Sequence, residues 1–71
     1  MGLDMHELRN IELCRKAMNN KQRIGVLALT RYTTGVVDEI WFDDMEDQVV
    51  LHTDSGTKRF SASTITAVNL L

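Results

Sequence analysis

The sequence predicts a mainly β fold: one N-terminal α-helix followed by a five-stranded, bent antiparallel small β-barrel, all in one domain of residues 1–71. Apolar residues recur at helical spacing over residues 5–18. From residue 23 onward β-branched residues dominate instead, in five short runs at about 23–30, 35–42, 48–53, 57–61 and 65–70 with almost no loop between them. There is no proline, repeat or low-complexity linker to suggest a second domain.

The helix has a readable start. Asp4 followed by Glu7 has the form of a capping box, and Leu3 with Leu8 has the spacing of a hydrophobic staple. Leu8, Ile11, Cys14 and Met18, flanked by Leu13 and Ala17, make one apolar stripe, while Arg9, Glu12, Arg15 and Lys16 face water. Arg15 and Lys16 complement the carboxyl end of the macrodipole, and Asn19-Asn20 offers a C-cap tolerant of left-handed geometry.

The strands follow. Ile24 to Thr30 is apolar on both faces, as a central strand requires. In the second run Val37 and Ile40 share a face only if the pleat slips by one residue, which implies a bulge that bends the strand. Phe42 is expected inside and its neighbour Trp41 at least partly outside. Val49 and Leu51 point inward in the third run, leaving Val50 and His52 outside. Asp54-Ser55-Gly56 is a tight turn, Phe60 points inward from the fourth run, and Ser61-Ala62-Ser63 suits a single 3₁₀ turn before the closing strand.

A chain of 71 residues buries only about 60% of the surface its unfolded state exposes, so its stability is marginal and self-association would add to it. The apolar closing run, with Ala67, Val68, Leu70 and Leu71, lacks a charged gatekeeper and is the expected edge for a homo-oligomer. One cysteine, no apolar run near the ~20 residues of a membrane span and no signal-peptide pattern predict a cytoplasmic protein without disulfides.

Charge is segregated. Residues 1–31 hold six bases against three acids, and residues 32–71 hold two bases against seven acids. Six of the ten acids lie between positions 38 and 47, concentrating a negative field that repels phosphate and attracts basic partners. Chemistry is nearly absent. His6 and His52 have no local nucleophile, Ser55, Ser61 and Ser63 sit in turn chemistry, and Gly25, Gly35 and Gly56 form no phosphate loop. Asp43, Asp44, Glu46 and Asp47 lack the alternating ligands and central glycine of a calcium loop. The expectation is a binding protein with no catalytic residues, no metal and no cofactor.

Gly35-Val36-Val37-Asp38-Glu39-Ile40, then Phe42-Asp43 and Val49-Val50-Leu51, resembles the first motif of the Sm-like proteins, whose fold is a five-stranded small barrel. A helix running into Arg23-Ile24-Gly25-Val26 is similar to the Hfq branch, a family of ring-forming RNA chaperones, but Phe60-Ser61-Ala62 stands where that family has Tyr-Lys-His. Asn10-Ile11-Glu12-Leu13-Cys14, Gly56-Thr57-Lys58-Arg59-Phe60 and Ile65-Thr66-Ala67-Val68 resemble the Rho-binding antiterminators of Rof type. The acidic Cys-Asp-containing segment that precedes the helix in that family has no counterpart here.

Three functions are consistent with these residues. The first, implied by the Rof-like resemblance, is a regulator of RNA metabolism or transcription whose Trp41, Asp43, Asp44, Glu46 and Asp47 bind a basic protein surface such as that of Rho. The alternative is an oligomeric RNA-binding protein in which Lys21, Arg23, Arg31, Lys58 and Arg59 meet phosphates and Tyr32 stacks on a base. The third is an accessory protein of a phage or mobile element that occupies a host protein.

Overall fold

The computed structural model describes residues 5–71. Helix α1 spans Met5–Asn20, followed by strands β1 (Arg23–Ala28), β2 (Arg31–Asp43), β3 (Glu46–Thr53) and β4 (Gly56–Ser61), a 3₁₀ turn at Ala62–Thr64, and β5 (Ile65–Leu70). The proposed capping box and staple depend on Leu3 and Asp4, which lie outside the described residues.

The helix runs two residues beyond the expected end. Its last turn holds no base, so Arg15 and Lys16 sit too far back to oppose the terminal carbonyls. The chain stops it with a backbone motif instead: the Gln22 amide donates to the Ala17 carbonyl (2.9 Å) and the Lys21 amide to that of Met18 (3.2 Å). This is the Schellman arrangement, and its left-handed residue is Lys21, at φ 52°, rather than either asparagine.

All pairings are antiparallel, in the order β4-β3-β2-β1-β5. β1 is shorter than expected because Leu29 and Thr30 form a two-residue turn with φ 49° and 64°, and β2 therefore begins at Arg31 instead of about residue 35. The expected bulge falls at Asp38: Val37 pairs with Leu51 and Glu39 with Val50, leaving Asp38 without an opposite residue. That slip returns Ile40 to the core side already occupied by Val37.

The sheet is strongly curled. β4 and β5 are its two outer strands, which in a flat sheet would stand roughly 19 Å apart, yet only three residues of 3₁₀ turn connect them. Curling is not closure. No ladder joins β4 to β5, so the expected barrel is an open five-stranded sheet with two edges among the described residues. The Leu29 amide donates to the Thr64 carbonyl (3.3 Å), holding the first hairpin against the end of the 3₁₀ turn.

The concave side of the sheet and α1 enclose one core. Ile24, Val26, Val49 and Leu51 are fully buried there with Cys14, and Ile11, Ala17, Ala28, Val37, Ala62 and Ile65 complete it. Phe60, Met18, Ile40 and Val68 pack around its margin. Burial pushes the Cys14 thiol up to about 11, so it is protonated at neutral pH and behaves as a small apolar side chain. The helix also buries one polar residue on its apolar face, Asn10, whose side-chain amide donates to the Ile65 carbonyl (3.3 Å) and fastens α1 to the start of β5.

Phe42 departs from expectation. It lies on the core-side parity set by Val37 and Ile40, but β2 runs past the end of the core, and Phe42 is 69% exposed. Trp41, on the opposite face, is the more covered of the two.

Candidate protein-binding face

The acidic residues gather at the β2–β3 hairpin. Asp43 and Glu46 close it, and Asp44 and Met45 form the turn with φ 54° and 64°, the left-handed pair of a type I′ turn. Such a turn matches the twist of the strands but favours Asn-Gly or Asp-Gly, because a Cβ at positive φ is crowded. The Asp43 carboxylate accepts from the Asp44 amide (3.0 Å) and so steadies the first turn residue.

Below the turn, Gln48 organises the neck of the hairpin. It is 2% exposed although it lies on the convex face, opposite Trp41 and Ser61. Its amide donates to the Asp43 carbonyl (3.3 Å), and its oxygen accepts from Arg59 Nε (3.3 Å) and Ser61 Oγ (3.1 Å). Arg59 then reaches the Asp43 carboxylate (3.6 Å) and places its guanidinium 5.2 Å from the centre of the Trp41 ring. The ion pair is exposed and contributes little energy by itself. Its consequence is positional: Trp41 is covered on one face by Arg59, and Arg59 is already engaged.

On the concave side the hairpin meets the start of α1. Leu8, Ile11, Phe42, Met45 and Ala62 line a small open cleft of about 40 Å³ rimmed by Glu7, Glu46 and Asp47. Leu8 is 47% and Met45 89% exposed, so three large apolar side chains, counting Phe42, stand open to solvent among carboxylates. Glu46 also braces the 3₁₀ turn, accepting the Ser63 backbone amide at 2.9 Å. That bond, followed by one from the Ser63 side chain, holds the Glu46 carboxyl below its ordinary 4.5. A folded value lower than the unfolded one means the contact contributes stability above about pH 4.5 and loses it as pH falls through the folded value. The urea midpoint should therefore fall on acidification through that window, and Glu46→Gln should make the fall shallower; an identical slope in the variant would mean that the contact is not made in solution.

The structure thus brings Asp43, Asp44, Glu46 and Asp47 into one hairpin, with Trp41 and Asp43 on its convex side and Asp47 on the concave side. Leu8, Phe42 and Met45 were not among the expected site residues. The signal for Met45 was present, since it is the one apolar residue inside the run Asp43 to Asp47.

The bases do not converge. Lys21 and Arg23 lie at the α1–β1 junction, where Arg23 donates to Thr34 Oγ1 (3.2 Å). Arg31 and Tyr32 lie at the other end of β1, roughly 17 Å away along the strand. Lys58 and Arg59, adjacent on β4, project to opposite faces. The Tyr32 side chain lies across Gly25, where a Cβ would collide with its ring. On β5, Leu70 and Leu71 are exposed, while Ala67 is half-buried and Val68 packs on the core margin.

Among the described residues no three His, Cys, Asp or Glu side chains are placed to hold a metal ion, and no helix is long and apolar enough to cross a membrane. No family model, curated protein or solved structure matches this chain, so the Sm-like resemblance rests on the quoted residues alone.

Proposed function

We propose that this protein is a non-catalytic binding module that uses its acidic hairpin end to engage a basic surface on a partner protein. One observation carries the reading: Asp43, Asp44, Glu46 and Asp47 share one hairpin with the exposed Phe42 and Met45, and among the described residues Arg59 forms the sole ion pair with these acids. Such a surface draws a positively charged partner by long-range attraction and repels a phosphate backbone. The dispersal of Lys21, Arg23, Arg31, Lys58 and Arg59 supports the same choice, because a nucleic-acid site needs its bases along one track. The Rof-like resemblance makes Rho, in a regulatory complex of transcription, the first partner to try. Self-association through the free edges of β4 and β5 belongs to the proposal, since both present unpaired backbone groups.

Size-exclusion chromatography with light scattering, at low and high salt, with Rho or with short uridine- or adenine-rich RNA, tests the reading. A complex with Rho that weakens as salt rises, and no shift with RNA, is the expected outcome. A ring of subunits that shifts with RNA would replace it by the Sm-like RNA-binding reading.

A further inference from the structure

We infer that the partner is recognised through an apolar anchor, with charge serving to orient it: one apolar side chain of a lysine- or arginine-bearing segment enters the cleft between Leu8 and Phe42, and Met45 closes over it. This inference rests on the acidic-face reading and specifies its chemistry.

The cleft has the dimensions for such an occupant. Its volume is about 40 Å³, a few times the roughly 10–15 Å³ that one water needs, which admits the end of one apolar side chain and not a whole helix face. Its floor, Ile11 and Ala62, is buried core, and its walls, Leu8 and Phe42, come from separate elements, so the site is held by the fold. Three carboxylates, Glu7, Glu46 and Asp47, lie on its rim and complement cations flanking the anchor.

Met45 is the second argument. It occupies a left-handed turn position where glycine would relieve crowding, and it leaves a long apolar side chain 89% exposed. Both choices work against the folded chain alone. A contact made in the complex accounts for them, and methionine adapts to varied apolar surfaces better than other side chains. Trp41 does not serve this role, because Arg59 covers it and it lies on the other face of β2.

The test uses the full chain and two labelled synthetic 15-residue peptides of equal positive charge. One arranges lysine and leucine as an amphipathic helix; the other has serine in place of leucine. Fluorescence anisotropy is measured for the wild type and Met45→Gly, with thermal unfolding of both proteins. The Lys/Leu peptide should bind about tenfold or more tighter than the Lys/Ser peptide, as expected for one buried apolar side chain. Met45→Gly should melt higher than the wild type and bind the Lys/Leu peptide several-fold more weakly. Equal binding of both peptides would overturn the apolar anchor and leave the acidic reading standing. Binding of neither would overturn both. Unchanged affinity in a Met45→Gly protein, or one that melts lower than wild type, would remove Met45 from the site.

Discussion

Gly35→Ala should destabilise this protein by about 3 kcal/mol, while Gly25→Ala should cost less than about 1 kcal/mol, although both glycines are buried in the same pair of strands. The difference lies in what a new methyl group would meet. At Gly35 it would run into the His52 backbone carbonyl, with the Leu51 side chain close behind. Both belong to β3, which is fixed by ladders to β2 on one side and β4 on the other and cannot retreat without opening the sheet. At Gly25 it would meet the Tyr32 ring, a half-exposed side chain that can swing into water. The gain from restricting the unfolded chain, about 0.4–1 kcal/mol for either Gly→Ala change, then offsets most of the cost at Gly25. Urea unfolding of the two variants at neutral pH reads the result as a shift of midpoint with unchanged slope. For 71 residues total stability is about 4–11 kcal/mol, so the Gly35 variant loses a large share. Equal costs at the two positions would mean that the close approach of β3 to Gly35 does not exist in solution.

That approach bears on the site as well as on the fold. Gly35 lets β3 come close where β2 bends, and the bulge at Asp38 resets the pleat three residues later. Together they determine which face of β2 carries Phe42 and which carries Trp41. The bulge was readable in advance, because Val37 and Ile40 could not otherwise share a face. The inward set Val49, Leu51 and Phe60 was readable for the same reason of alternation. Leu29-Thr30 was not readable as a turn, and Asp44-Met45 was readable as a connection only through its aspartate, not as a two-residue turn. Neither pair contains glycine or asparagine, so at Leu29, Thr30 and Met45 local chemistry gives no sign of left-handed backbone, and the strand pairing on either side imposes it. Closure was over-read. Five short strands with a bend permit a barrel, but whether the edges meet depends on the geometry of Ala62–Thr64, which the residues there do not specify.

The candidate face was half visible. Its acids are a run in the sequence, whereas Leu8 and Phe42 look like core residues at their helical and strand positions. Phe42 is exposed because β2 runs past the end of the core, a tertiary fact with no local signature. The bases of the alternative RNA-binding reading lie apart within one chain for a related reason: adjacent bases such as Lys58 and Arg59 part to opposite faces as soon as the segment is a strand.

Gln48→Ala should cost about 2–3 kcal/mol and move the Trp41 fluorescence maximum to longer wavelength. The glutamine satisfies three groups at once, the Asp43 carbonyl, Arg59 Nε and Ser61 Oγ, while it is itself almost wholly buried. Truncation removes its packing and leaves the half-buried Ser61 hydroxyl without that partner, and unmade bonds in covered places cost more than the net value of made ones. Arg59 then loses one of its two polar contacts and keeps only the exposed, weak pair with Asp43. Its guanidinium should leave the Trp41 ring, which wets the indole and shifts the emission. The hairpin tip loses the Gln48–Asp43 tie across its neck, so peptide affinity at the Leu8–Phe42 cleft should fall together with stability. Arg59→Ala separates the two effects: it uncovers Trp41 and gives the same spectral shift, but it leaves the Gln48 tie to Asp43 in place and should spare peptide binding. If Gln48→Ala were neutral in stability and silent in fluorescence, the buried network at the hairpin neck would not be what holds the acidic face in shape.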